Sequence, residues 1–193
     1  MTPSSYHTHT TFCDGKDSPE ELVLEAIRLG CPEIGFSGHA HTAFDESWCM
    51  SVGGTKEYID CINSLKTKYA DKIKVLLGIE QDYFSDAPIE GYDYIIGSVH
   101  YVKKDGVYLP VDESHEIQLR IVKEHYMGDF YAFCEDYFAL VGDVYSKTKC
   151  DIVGHFDLIE KFNETGDLFD RSSPRYRAAA DTALDKLLQT GVR

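Results

Sequence analysis

An α/β architecture built on a parallel sheet is predicted from three observations: strand-like and helix-like segments alternate along the chain, the connecting segments carry helix-capping signals, and imidazole and carboxylate side chains recur at strand ends. The first strand falls at about residues 4–10. Ser18-Pro19-Glu20-Glu21 then places a capping serine, a proline at the first helical position and a glutamate at the third, opening a helix that Gly30 closes. Residues 33–37 read as a short buried strand. A polar loop follows to about Gly54, then a helix with Ile59, Ile62, Leu65 and Tyr69 on one face. Lys74-Val75-Leu76-Leu77-Gly78-Ile79 is the third strand and Tyr94-Ile95-Ile96-Gly97-Ser98-Val99 the fourth, with a turn at Lys104-Asp105-Gly106. Two helices fill 113–148, Asp151-Ile152-Val153-Gly154 is the fifth strand, and Ser173-Pro174 opens a last helix that runs to about Thr190 and stops at Gly191.

Composition narrows the function classes. The 193 residues carry 19 Lys+Arg against 33 Asp+Glu, a formal charge of −14, with 43% hydrophobic and 12% aromatic residues. This is the profile of one globular domain over 1–193. A chain so acidic, with no basic stripe, is not expected to bind nucleic acid through phosphate neutralisation. No apolar run approaches the roughly 20 residues of a membrane span, and Met1-Thr2-Pro3-Ser4-Ser5 lacks a signal-peptide pattern, so a cytoplasmic protein without membrane contact is expected. The six cysteines contain no Cys-x-x-Cys pair and read as reduced thiols. The chain ends at Val192-Arg193, where the alternation calls for another strand. The sequence therefore reads as an α/β unit lacking its closing C-terminal strands, since an eight-unit barrel takes about 250 residues.

The chemistry concentrates at the strand ends. His7 and His9 are two apart on one strand, so both side chains leave the same face. Asp14 follows in the next loop, His39 follows the second strand, Glu80 the third, His100 the fourth and His155 the fifth. In a parallel α/β fold these ends share one rim, where catalytic groups collect. Imidazole nitrogen and carboxylate oxygen suit zinc, manganese or iron, and Glu80 is the best bridge between two ions. Core packing is a poor explanation for so many imidazoles, which destabilise an apolar interior without partners. His115 and His125 sit among charges and read as solvated helix positions. Phe130, Tyr131, Phe133, Tyr137, Phe138 and Tyr145 read as a packing stripe rather than a base-stacking platform, and Cys13, with no spare base nearby, as a bystander rather than a nucleophile. Lys161, Arg171, Arg175 and Arg177 follow the fifth strand and could clamp a phosphate, although ordinary surface cations are the commoner role.

The motifs Tyr6-His7-Thr8-His9-Thr10, Cys13-Asp14-Gly15, Gly35-Phe36-Ser37-Gly38-His39, Gly78-Ile79-Glu80, Gly97-Ser98-Val99-His100 and Val153-Gly154-His155-Phe156-Asp157 resemble the PHP (polymerase and histidinol phosphatase) superfamily, most of all its histidinol-phosphate phosphatases. The resemblance implies a distorted (β/α)7 TIM-like barrel with two or three divalent ions at its C-terminal rim. His7 and His9 would hold the first ion, and Glu80 would bridge to a second held by His100 and His155. Asp14 and His39 would hold the third. Two departures stand out: the family's closing Asp-x-His is absent, and Gly38 stands where aspartate is frequent.

The implied activity is hydrolysis of L-histidinol phosphate to L-histidinol and phosphate by a metal-bound hydroxide, without a covalent phosphoenzyme, as part of histidine biosynthesis. Glu80, His100 and His155 would be the catalytic ligands and a small phosphate monoester the partner, with oligomeric state open. The competing readings are a PHP-type phosphodiesterase or nuclease and a non-catalytic metal-binding module. Bound cations reconcile the net acidity with an anionic substrate, because they dominate the local field.

Overall fold

The computed structural model describes residues 4–192; Met1, Thr2 and Pro3, read above for the lack of a leader pattern, lie outside them, as does Arg193. The described residues pack as two compact units. The first is built on the chain through Ile96 with Cys150–Ile152, the second on Gly97–Lys149 with the chain from Val153.

In the first unit α1 (Pro19–Arg28) starts as its sequence requires. The Ser18 hydroxyl accepts from the Glu21 amide while the Glu21 carboxylate accepts from the Ser18 amide, so two otherwise orphaned donors are satisfied together. Gly30, at φ 72°, supplies the left-handed residue that ends the helix. Strand β1 (Glu33–Phe36) pairs in parallel with β2 (Lys74–Asp82), Glu33 against Lys74 and Phe36 against Leu77. Between them α2 (Val52–Lys68) buries Tyr58, Ile62 and Leu65, and is capped by Ser51, so it begins two residues before the expected end of the loop. Val23, Phe36, Tyr58, Ile62, Leu77 and Ile79 form the centre of this core, each worth about 1.5–3 kcal/mol when the side chain is fully buried. The full sheet order is β1-β2-β3-β6, with β3 at Tyr94–Ser98 and β6 at Ile152–Val153. Asp151 anchors the start of β6 to Ile95 through both its amide and its carboxylate, each at 2.9 Å.

Tyr94 fixes the spacing of the first three strands. A Cβ on Gly35 would come 2.5 Å from its hydroxyl, and one on Gly78 2.2 Å from its ring carbon Cζ. The ring occupies the volume that both missing side chains leave, and its hydroxyl lies 2.5 Å from the Tyr6 carbonyl and 3.0 Å from that of Phe36.

The second unit contains what the alternation did not resolve. Tyr101–Lys104 (β4) and Val107–Pro110 (β5) form an antiparallel hairpin. Its turn residues Asp105 and Gly106 both take positive φ, 50° and 84°, the pattern an Asp-Gly turn favours in a two-residue hairpin. The expected pair of helices over 113–148 is three: α3 (His115–His125), α4 (Phe130–Val141) and α5 (Val144–Thr148). Left-handed Met127 and Gly128 break the first junction. Helix α4 buries Phe130, Phe133, Cys134, Tyr137, Phe138 and Val141, one stripe at helical spacing, against α6 (Pro174–Thr190), so the aromatic run is a packing face as expected.

One further expectation needs correction. The strand over 4–10 reduces to a single parallel bridge, Ser5 with Ile34. The Gly35 amide donates to Ser5 and the Ser37 amide to Thr8, so three residue steps on one segment face two on the other, and the extra residue breaks the ladder. The described sheet is open with four strands, so a closed barrel is not what these strands alone form. No helix is long and apolar enough to cross a membrane among the described residues.

Candidate metal centre

The first unit gathers five of the predicted ligands. Glu80 does not terminate its strand but lies within β2, two residues before the end. His39 is its parallel bridge partner: the Ala40 amide donates to the Glu80 carbonyl at 2.9 Å and the Glu80 amide to the Gly38 carbonyl at 3.1 Å. Partners in register present their side chains on one face, which brings His39 Nδ1 to 3.1 Å from Glu80 Oε2. From the N-terminal segment His7 Nε2 reaches the same oxygen at 2.9 Å and His9 Nε2 at 3.2 Å. Asp14 comes from a tight turn in which the amides of Cys13 and Gly15 both donate to the Thr10 carbonyl at 3.0 Å. A Cβ at Gly15 would stand 2.4 Å from the Thr10 amide nitrogen, so glycine is required there. Asp14 Oδ1 lies 3.5 Å from His9 Nδ1 and 3.7 Å from His39 Nε2.

This donor set fits a divalent cation. Glu80 is 1% exposed, and its Oε2 has three imidazole nitrogens within 3.2 Å. A carboxylate oxygen offers about two lone pairs to hydrogen donors. Three rings crowding one oxygen therefore exceed its hydrogen-bonding needs and present spare nitrogen lone pairs, the arrangement of ligands around an ion. Burial lowers the proton affinity of His9, but its contacts with Cys13 and Glu80 outweigh this and raise its pKa to about 10. The His39 imidazole beside it holds Asp14 down at about 2 against the opposing effect of burial.

The second unit brings together His100 and His155, whose ring centroids are 4.9 Å apart in an edge-on arrangement. His100 lies two residues beyond β3 and His155 two beyond β6. The Val111 amide donates to the His100 carbonyl at 2.9 Å. Buried Tyr137 of α4 holds the backbone after β6: its hydroxyl lies 3.2 and 3.3 Å from the carbonyls of His155 and Phe156 and accepts from the Leu158 amide at 3.2 Å.

The predicted basic clamp divides. Arg175 is bound at 2.8 Å through Nε and Nη2 to the two oxygens of Glu135 and through Nη1 to Asp129, which fastens the start of α6 to α4. Lys161 pairs with Asp112 at 3.2 Å, and Arg171 with Glu160 at 3.1 Å. Arg171 and Arg177 both line an open cavity of about 440 Å³ with Phe169, Asp170 and Ser172. His115 faces Asp167 at 3.5 Å, consistent with its solvated reading. Two residues near His39 escaped the sequence reading. Trp48 sets its ring edge-on to His39 with centroids 4.6 Å apart, and His41 pairs with Glu46 at 2.7 Å. His41 repeats the two-residue spacing of His7 and His9, and that was its available signal; Trp48 had none, because loop packing is not periodic.

A family model described as the PHP domain matches residues 5–192. The chain belongs to the PHP-domain family. A Deinococcus radiodurans protein named "Probable histidinol-phosphatase" is 29% identical over 167 residues, covering 81% of this chain and 61% of its own. The Lactococcus lactis "Histidinol-phosphatase" is 27% identical over 175 residues, covering 84% of this chain and 59% of its own. The chain spans about three-fifths of the length of these curated relatives. Among solved structures, a Listeria monocytogenes protein described as a candidate histidinol phosphatase superposes with a TM-score of 0.81 at 22% identity, over 99% of this chain and 80% of that one. The Lactococcus lactis histidinol phosphate phosphatase, crystallised with zinc, L-histidinol and phosphate, gives 0.67 at 22% identity, over 99% of this chain and 71% of that one.

Proposed function

We propose that this PHP domain is a metal-dependent phosphomonoesterase acting on L-histidinol phosphate, with two or three zinc, manganese or iron ions. The observation that carries the reading is the crowding of His7, His9 and His39 around one buried oxygen of Glu80. The substrate is supported by the names of the curated relatives and by the ligands of the Lactococcus lactis structure. The distorted (β/α)7 barrel belongs to the same reading, supported by the superposition on the Listeria protein over nearly the whole chain.

In this reading His7 and His9 hold one ion and Asp14 and His39 another. His100 and His155 hold a further ion, and the assignment of Glu80 to that ion as well rests on the family resemblance. Ions held there supply Lewis-acid charge to phosphoryl oxygens and acidify a water for attack on phosphorus. The chain's own groups do the rest. Glu80, buried and anionic, keeps the imidazoles directed at one place, and the packing of Trp48 on His39 limits that ring's rotation. Arg171 and Arg177, at their open cavity, are the proposed anion contacts. Arg175 and Lys161 already satisfy carboxylates and are weaker candidates.

The test is metal content by plasma mass spectrometry, together with phosphate release from histidinol phosphate, other phosphomonoesters and DNA ends. Expected are bound divalent metal and chelator-sensitive turnover of histidinol phosphate without burst kinetics. A trapped phosphoprotein, a preference for DNA ends or a metal-free protein after loading would each overturn the reading.

A further inference from the structure

Cys13 has no part in the chemistry so far, yet its sulfur sits against a ligand. An imidazole that ligates through one nitrogen donates its remaining N–H to an acceptor, and that acceptor fixes which nitrogen carries the lone pair. His9 turns Nε2 toward Glu80 and Nδ1 toward two acceptors at equal distance, Cys13 Sγ and Asp14 Oδ1, both at 3.5 Å. The equality of distance decides between them. An N–H···O bond has its optimum near 2.7–3.2 Å, so 3.5 Å to oxygen is a charge contact. Sulfur is larger, and 3.5 Å to sulfur is a hydrogen bond.

We infer that Cys13 is a positioning residue for His9: its sulfur accepts the Nδ1 hydrogen, aims the Nε2 lone pair at the ion beside Glu80, and leaves the Asp14 carboxylate for an ion of its own. The sulfur is built in as an acceptor. Cys13 belongs to the tight turn in which its amide donates to the Thr10 carbonyl at 3.0 Å, which holds the sulfur beside His9. An added Cβ at Gly38 would stand 3.6 Å from the sulfur, an ordinary contact, and 3.2 Å from Met50 Cε, so an aspartate at position 38 would crowd Met50 rather than the cysteine.

The inference rests on the metal-centre reading above and has its own test. Zinc affinity is measured by chelator competition for the wild type, Cys13→Ala and Cys13→Ser, with melting curves to confirm folding. The tautomer of His9 is read by long-range proton–nitrogen correlation in the zinc-loaded proteins, and the cobalt-loaded forms are examined for a sulfur-to-metal charge-transfer band. Expected are a loss of zinc affinity of about 10–100-fold in Cys13→Ala, recovery of most of it in Cys13→Ser, a change in the His9 ring signals in Cys13→Ala, and no sulfur-to-cobalt band in the wild type. Wild-type affinity and an unchanged His9 tautomer in Cys13→Ala would overturn the inference while leaving the metal centre intact. A sulfur-to-cobalt band that vanishes in Cys13→Ala would overturn it by making the sulfur a direct ligand. A wild type that binds no zinc would overturn the centre and the inference together.

Discussion

The Glu80 cluster of the first unit and the surroundings of α6 in the second handle charge in opposite ways. In the first, imidazoles converge on Glu80 and Asp14, and no lysine or arginine takes part in the described contacts of that cluster. In the second, Lys161, Arg171 and Arg175 each pair with a nearby carboxylate. A permanently charged guanidinium would neutralise Glu80 and close the place to an ion, whereas imidazoles can give up their protons to one. Imidazoles around a buried carboxylate thus make a candidate ligand set, and fixed cations on partly exposed carboxylates make packing clamps.

Glu80→Gln is the sharpest way to break this comparison. It keeps the shape and removes the charge that gathers three rings, so metal affinity should fall by at least about 100-fold and any phosphatase activity should drop to background. Arg175→Gln should leave metal stoichiometry and turnover unchanged and lower the melting temperature, because its partners are Asp129 and Glu135 of the α4 start. Metal loss in the arginine variant, seen by mass spectrometry, would show that the division between the units is wrong.

His100→Ala tests the second unit's own ligands. Metal content should fall by about one ion per chain, with the ions attributed to His7, His9, His39 and Asp14 retained. Loss of all metal would mean that the two sets do not load separately.

Tyr137→Phe is a smaller perturbation. It removes the acceptor of the Leu158 amide and the donor near the His155 and Phe156 carbonyls in a fully buried place. The expected cost is about 1–3 kcal/mol in urea unfolding with an unchanged m-value.

The least effect belongs to Asp93→Asn. Asp93 accepts from Lys66 and from the Leu77 amide, both at 2.7 Å. Partial burial works against its ionisation, but these donors prevail and lower its pKa. A lowered carboxyl contributes stability above its unfolded value and loses that contribution as pH falls through its folded value. The stability gap between wild type and Asp93→Asn should therefore be about 1 kcal/mol at neutral pH and vanish below the ordinary aspartate range of about 3.9. A gap that persists at the acid end would point to shape rather than charge.

Much of this organisation was legible because it is local. Ser18 marks a helix start through Glu21 three residues away, Pro174 marks another by its place at the first helical position, and Gly30 and Gly191 mark ends through φ alone, 72° and 76°. The candidate ligands were legible as types and approximate positions, since His-x-His and a Glu in a strand need no tertiary knowledge, although Glu80 lies within β2 and not at its end. What could not be read was contact. That three rings meet one oxygen depends on the Gly38–Glu80 and Ala40–Glu80 hydrogen bonds, which place His39, and on the Gly35–Ser5 and Ser37–Thr8 bonds, which hold the segment of His7 and His9, all joining segments far apart in the chain. The partners of the basic residues after β6 lay beyond reach for the same reason: the sequence shows the charge of Lys161, Arg171 and Arg175 but not the Asp112, Glu160, Asp129 and Glu135 that meet it. The break of the 4–10 strand also lay beyond reach, since an extra residue shows only against a partner.

The ring of Tyr94, lying where Gly35 and Gly78 have no side chains, constrains how this chain can vary. A methyl group at position 78 cannot coexist with the ring, so its arrival demands a smaller residue at 94. A smaller residue at 94 arriving first would leave a void over two strands and take the phenol from the carbonyls of Tyr6 and Phe36, the segment that carries His7 into place. Neither order of replacement has a neutral first step. The three positions are inherited as a block, and mutational drift along these strands has to go around them.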